Sequence, residues 1–309
     1  MIPAQILTGV MRRGERTIPQ TIRSFSMTSR LVLTILVDNT TLTDRDLAGE
    51  PGLSFFIETA RKRILFDTGL SDLFLANAEK MGIGLEDLDY LVLSHGHIDH
   101  TGGLAPLIRH LDDAMTDGRQ PRVPELVAHP RCFWPKEKNQ KSNGSEVSEE
   151  EARLNFPLLL SDAPVWLTDD LVFLGEIPRK HAFEQGEAET RMVHRPDKTI
   201  VPDTLPDDTA LAFRSANGLV IITGCSHAGI CNITEQARKV CGENRVAAII
   251  GGLHLLNPRP QRLKMTGEHL RKVQPGVLYA CHCTSLAAKI TLAKYCTVQE
   301  AGVGMRLEW

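Results

Sequence analysis

The stretch Ser94-His95-Gly96-His97-Ile98-Asp99-His100 holds three imidazoles and a carboxylate, directly after the apolar run Leu-Asp-Tyr-Leu-Val-Leu at 88–93. That run reads as a buried strand, so the histidines sit in the loop at its carboxyl end. In an extended segment His95 and His97 project to the same side, and both imidazoles can reach one metal ion. Gly96 between them lets the backbone come close. Asp99 and His100 lie just past the bend and can supply one hard oxygen and one nitrogen to a second ion. One strand end therefore starts two metal sites. Two divalent ions about 3.5 to 4 Å apart can share a water, lower its pKa toward neutrality and hold it as hydroxide facing an electrophile. The ions also polarise a carbonyl or phosphoryl oxygen, so no serine or cysteine nucleophile is required. Asp99 is the candidate catalytic residue: it or a metal-bound water could pass a proton to the leaving group.

The elements that must position this loop are regular from Leu31 onward. The spacing predicts a strand over 31–39, two strands around a turn over 52–69, a helix over 71–83 and a helix-turn running into the strand before the histidines. A helix over 102–115 and a strand over 124–130 follow. Residues 136–155, charged and polar with no apolar period, read as a mobile surface insertion, part of a larger insertion near 112–160 that would carry specificity. Beyond it come β pattern over 164–178, a hairpin over 209–227 turning at Asn217-Gly218, and a helix ending at Gly242. A strand over 245–255, a helix over 260–274 and a buried strand over 276–283 close the pattern. Each of two similar halves offers a meander followed by strand-helix alternation, as expected of an α/β protein with two packed sheets and helices outside.

The formal net charge of −3 leaves no excess positive field for phosphate backbones, which argues against nucleic acid as a partner and toward a small-molecule substrate. No apolar run approaches the roughly 20 residues that cross a bilayer, so no membrane partner is expected. Seven cysteines, an odd number scattered along the chain, favour reduced thiols and a cytoplasmic location. Residues 1–30 carry five arginines against the single acid Glu15. That composition suits either a mitochondrial transit segment or a disordered extension ahead of a start at Met27, and it is set apart from the domain at 31–309. Nothing in the sequence sets an oligomeric state.

His-x-His-x-Asp-His at 95–100 resembles the signature of the metallo-β-lactamase superfamily of binuclear metal hydrolases. The resemblance implies a four-layer αββα sandwich and gives further residues a part. Asp67, in Ile-Leu-Phe-Asp-Thr-Gly, would orient a ligand or hold the metal loop by hydrogen bonds without binding metal. His227, in Gly-Cys-Ser-His, would be the third nitrogen on the first ion. His282, in Cys-His-Cys-Thr, would close the shell of the second. His254, in Gly-Gly-Leu-His-Leu, is either one more ligand or a supporting histidine in the core. Gly-Glu-Ile-Pro-Arg with Phe-Glu, Pro-Asp-Asp-Thr-Ala-Leu and these motifs together resemble the dihydropterin-methyl-ribofuranosylaminobenzene phosphate synthase-like branch, over about residues 31–308. Two departures stand out. Where many members have a Gly-Asp pair whose carboxylate bridges the ions, this chain has Gly224-Cys225, leaving the bridge to the thiolate or to water. The branch's His-Cys-Thr-Gly ends here in Ser285.

Arg179 is a candidate receiver of an anionic substrate group or a surface charge, and His181 a candidate substrate contact. Asp207 and Asp208 read as turn or capping residues, and His110, His129, His194 and His269 as solvated or packed. Cys281 and Cys283, alternating around His282, should both point away from it. The expected function is hydrolysis of an ester, thioester, lactone or phosphoester through a metal-bound hydroxide. Two divalent ions would serve as cofactor: imidazole and carboxylate favour zinc, with manganese or iron compatible. The alternative is an iron-dependent redox enzyme acting on oxygen or sulfur species. A nuclease would need a basic groove, and a purely binding role would leave the ligand set unused.

Overall fold

The computed structural model describes residues 30–184 and 191–309. The extension expected over 1–30 lies, apart from Arg30, outside the described residues. Two sheets pack face to face. The first has seven strands, in the order Arg306–Glu308, Leu31–Val37, Ser54–Thr59, Arg63–Phe66, Tyr90–Val92, Glu125–Ala128 and Leu158–Leu160. The second has six: Val277–Cys281, Val246–Gly252, Gly218–Thr223, Ala210–Ser215, Leu171–Phe173 and Val165–Trp166.

Period-two alternation explains why these strands read as continuously apolar: both of their faces are buried. Leu33, Ile35, Phe55, Ile57, Val220, Ile222 and Ile250 point into the layer between the sheets. Their neighbours point outward: Leu36 and Phe56 meet Phe74, Leu104 and Leu107 of helices Leu73–Lys80 and Leu104–Thr116. On the other side Leu219, Ile221 and Ile249 pack with Ile233, Ala237 and Leu270 of helices Ile230–Cys241 and Pro260–Val273. Three apolar layers between four structural layers make an αββα sandwich, as the resemblance implied. Gly242, left-handed at φ 63°, ends its helix where the sequence placed the stop.

Several details differ from the sequence reading. The hairpin turns at Ala216-Asn217, because Gly218 already pairs with Ser215. Residues 85–89 form no helix. The C-terminal strand Arg306–Glu308 and the helix Leu286–Leu292 carried no recognised signal, and that strand crosses to the first sheet, pairing with Leu31–Val37. The expectation of a mobile insertion over 136–155 is corrected. Lys136–Lys138 and Lys141–Ser142 join Arg191–His194 and Ile200–Pro202 in a third, four-stranded sheet, and Glu149–Asn155 is a helix capped by Ser148. Its hairpin bends at Asn139 and Gln140, with φ of 52° and 63°, the pattern of a two-residue turn that matches strand twist. This sheet reaches the histidine loop: His97 bridges to Gly144, and Ile98 N donates to Asn143 O at 3.0 Å.

No helix among the described residues is long and apolar enough to cross a membrane.

Candidate metal centre

In the first sheet Arg63–Phe66 runs parallel to Tyr90–Val92, and in the second Gly218–Thr223, Val246–Gly252 and Val277–Cys281 run parallel to one another. Their carboxyl ends carry Asp67, the 94–100 loop, Cys225 with His227, His254 and His282 in turn. Carboxyl ends of parallel strands are where open α/β sheets hold ligands. After His97 the chain enters the short helix Ile98–Thr101, which turns Asp99 and His100 away from the direction of His95 and His97.

Two groups of donors result. The ligand atoms of His95, His97 and His227 lie within 4.8 Å of one another, as do those of Asp99, His100, Cys225 and His282. The groups adjoin, since the His95 and His100 rings stand 4.3 Å apart and His100 Nε2 lies 3.3 Å from Cys225 Sγ. The side chains His95, His97, His100 and His227 are buried, and His227 Nε2 has no hydrogen-bond partner.

The outer ring nitrogens are occupied in a way that aims the others inward. His100 Nδ1 donates to Asp67 Oδ2 at 2.7 Å, leaving Nε2 for the centre. Ser94 Oγ donates to Asp67 Oδ2 at 2.7 Å and so accepts from His95 Nδ1 at 3.0 Å, freeing His95 Nε2, which faces His97 Nδ1 at 2.9 Å. Asn39 Oδ1 accepts from His282 Nδ1 at 3.0 Å. A nitrogen set with lone pairs converging in a buried pocket, one of them unpartnered, fits a divalent metal. The residues present therefore fit the group.

The loops are held by buried carboxylates. Asp67 also accepts from Ser94 N at 2.7 Å. Asp207 accepts from Gly96 N at 2.9 Å, and its neighbour Asp208 accepts from Ala228 N at 2.8 Å, so the adjacent pair anchors one metal loop from each half. Glu184 accepts from Cys231 N and Asn232 N, both at 2.9 Å, fixing the start of the helix behind His227. Asp38 accepts from His282 N at 2.7 Å. Asp67, Ser226, His254 and His282 all have left-handed backbones, with φ between 50° and 59°, a clustering typical of functional loops. Gly96 must be glycine, because a Cβ there would stand 1.8 Å from Cys132 O.

Burial pushes His95 and His227 far below the usual imidazole range, helped by the neighbouring histidines, and lowers His97 to about 3. These rings stay neutral, as ligands must. Burial would lower His100 as well, but the carboxylates of Asp67 and Asp99 outweigh it and raise it to about 9. Burial disfavours the Asp99 anion, yet His100 and His282 hold its carboxyl well below the usual range. A carboxylate held ionised in this way can serve as an anionic ligand. Burial pushes the Cys225 thiol well up.

The chain matches the metallo-beta-lactamase superfamily over residues 47–282. It belongs to that superfamily. Among relatives of this metallo-beta-lactamase-fold protein is the 7,8-dihydropterin-6-methyl-4-(beta-D-ribofuranosyl)-aminobenzene-5'-phosphate synthase of Methanocaldococcus jannaschii. It is 30% identical over 250 residues, 77% of this chain and 82% of that protein. An uncharacterized protein of the same organism is 30% identical over 264 residues, 85% of this chain and 94% of its own length. Among solved structures, Tm1679, described as a metal-dependent hydrolase of the beta-lactamase superfamily, matches with a TM-score of 0.75 at 25% identity, covering 90% of this chain and 98% of its own. Membership implies divalent metal binding.

Of the residues expected from the sequence, the structure brings His95, His97, Asp99, His100, Cys225, His227 and His282 together, with Asp67 behind them. His254 is half-buried, its ring 4.2 Å from that of His227, so it borders the centre and is no core histidine. Arg179 is spent on main-chain carbonyls, Leu205 O at 2.6 Å and His227 O at 3.3 Å, which makes it a brace for the His227 loop. His181 turns to Glu235, 2.7 Å away, and joins neither donor group of the centre. Cys283 departs from expectation: its sulfur accepts from His254 N at 3.1 Å and shares a donor group with Cys225 and His254. Ser94, Asn39 and Asp38 were missed. The polar Asp38-Asn39 pair at a strand's carboxyl end was the available signal.

Proposed function

We propose that this protein is a binuclear metal-dependent hydrolase of small molecules, with His95, His97 and His227 around one ion and Asp99, His100 and His282 around the other. Two adjoining, buried donor groups that meet at His100 and Cys225 carry this reading. Bound divalent ions, zinc by the balance of imidazole and carboxylate, would supply Lewis acidity and lower the pKa of a water. The chain's own part is to keep His95, His97 and His227 neutral by burial, to orient His95, His100 and His282 through Ser94, Asp67 and Asn39, and to exclude bulk water. Cys225, at the sequence position where many members carry a bridging carboxylate, would offer its sulfur there, with bound ions displacing the thiol proton that burial otherwise retains. Asp99 stands at the half-buried edge as ligand and proton acceptor.

Esters, thioesters, lactones and phosphoesters all suit such a centre. A neighbouring cavity of about 330 Å³ brings Arg131, Arg195 and the Trp134 ring together with Asp203 and the Lys136–Asp207 pair, so the two arginines would meet an anionic group of the substrate and the tryptophan a flat ring. The name of the M. jannaschii relative supports a second reading, a synthase whose product joins a dihydropterin to a ribofuranosylaminobenzene phosphate.

Elemental analysis of the purified protein, coupled to thioester, lactone, phosphodiester and pterin substrates, tests both. About two equivalents of zinc and turnover of a hydrolysable substrate are expected at the centre, and His97→Ala should lose metal and activity together. An unchanged metal count in His97→Ala would overturn the ligand assignment. Iron in a coloured protein without hydrolysis would favour the redox alternative, and product formation only with pterin substrates the synthase.

A further inference from the structure

Outside the centre, a second set of ligand-type side chains gathers on the outer helical layer. His181 precedes the short 3-10 turn Ala182–Glu184, Glu235 lies on helix Ile230–Cys241, and His269 lies on helix Pro260–Val273. Their ligand atoms fall within 4.8 Å of one another. His181 Nε2 and Glu235 Oε1 are 2.7 Å apart, and the His181 and His269 rings meet edge-on with centroids 5.1 Å apart.

A simple His-Glu ion pair accounts for only two of the three. His269 Nε2 is buried and has no hydrogen-bond partner, although Glu235 and His181 both stand beside it. A buried ring nitrogen left orphaned next to a carboxylate and a second imidazole calls for a shared partner. Burial pushes His269 below the usual imidazole range, as does His181, so its lone pair is free to bind. The backbone of the His181 loop is also fixed in advance, since Lys180 N and His181 N both donate to Asn232 Oδ1, at 2.8 and 3.1 Å.

We propose that His181, Glu235 and His269 form a separate binding site for one divalent transition-metal ion, with zinc as the best-suited occupant. Two imidazoles and a carboxylate at three corners of a tetrahedron leave one position for water. Donors on a common ion at about 2.1 Å lie about 3 to 3.5 Å apart, so the His181–Glu235 pair, at 2.7 Å, would open slightly while His269, within 4.8 Å of both, keeps or closes its distance. Each is half-buried, which leaves a path from solvent. The ion would tie two helices to the loop that carries Arg179, whose guanidinium braces His227 O at 3.3 Å. The site is thus a clamp on the outer layer, and it does not depend on the reaction at the centre.

The full-length protein is equilibrated with a series of free-zinc concentrations, and bound metal is measured for the wild type and for His269→Ala, Glu235→Gln and His97→Ala. Cobalt(II) substitution gives a parallel absorption spectrum, and circular dichroism establishes that each variant is folded. Glu235→Gln keeps a hydrogen bond to His181 while removing the anionic ligand, so it serves if His269→Ala fails to fold. At saturation, His269→Ala and Glu235→Gln should each bind one equivalent less than the wild type and lose one component of the cobalt spectrum. His97→Ala should keep that component. Folded His269→Ala and Glu235→Gln proteins binding as much zinc as the wild type, with unchanged cobalt spectra, would overturn the proposal. A metal loss confined to His97→Ala would do the same while leaving the centre intact.

Discussion

Asp67 never enters the donor groups, yet three of its hydrogen bonds decide how they are presented. It accepts hydrogen bonds from Ser94 N, Ser94 Oγ and His100 Nδ1, each at 2.7 Å, and through Ser94 it sets His95 as well. In Asp67→Asn one of these donors would meet an amide N–H, and the tautomers of both histidines lose their anchor. Metal affinity should fall about 10- to 100-fold with the fold retained, as for other residues that orient ligands. Competition with a chromophoric chelator measures it, and an unchanged affinity would remove Asp67 from the role. This part of the site was legible because Asp67 and the 95–100 stretch are local patterns at strand ends. Cys283 was not legible, for a specific reason: strict alternation turns it away from the centre, but the left-handed φ of 50° at His282 breaks that alternation and swings it toward Cys225. Arg179 was misjudged because sequence shows a charge but not the carbonyls waiting for it.

The segment 136–144 shows how an element can be mandatory without any apolar period. Its strands are polar because they form a thin outer sheet, yet Lys136 is only 3% exposed and its ammonium lies 3.1 Å from Asp207, which is 1% exposed. Asp207 in turn holds Gly96 N, so this ion pair ties the outer sheet to the metal loop. Truncating one partner strands the other charge in the interior. Lys136→Met should therefore cost about 3 to 5 kcal/mol, measured by urea unfolding, while Lys136→Met combined with Asp207→Asn should recover part of it. Burial disfavours both charges, but Asp207 raises Lys136 and Lys136 lowers Asp207 relative to their ordinary values. The Asp207 share is present above the ordinary carboxylate pKa and fades as pH falls through its depressed value. The Lys136 share is present below the ordinary amine pKa and fades as pH rises through its raised one. The penalty of Lys136→Met should thus stay level from about pH 5 to 9 and shrink outside that range. A penalty that varied strongly across neutrality would contradict the pairing.

At the scale of the whole molecule, the pattern of strands and helices was readable because apolar periods survive in both halves. The closure of the sandwich was not, because Arg306–Glu308 is three residues long and acquires its place only by pairing with Leu31–Val37 at the other end of the chain. That architecture makes the candidate centre a joint between halves. His95, His97, Asp99 and His100 come from the first sheet's loops, while Cys225, His227 and His282 come from the second's. An ion held by both sets cannot bind a chain whose sheets have separated, so occupancy must stabilise the folded sandwich by mass action. At about a hundredfold excess over the dissociation constant the gain is about 2.7 kcal/mol, on the order of 5 °C in Tm for a domain of this size. Chelation followed by zinc addition should lower and then restore Tm by such an amount. Because the two ligand sets are needed together, His97→Ala from the first sheet and His227→Ala from the second should each reduce the response, leaving what the remaining ligands and the His181–Glu235–His269 site contribute. Survival of the full zinc-induced shift in either variant would mean that the ion sits within one half and does not join them.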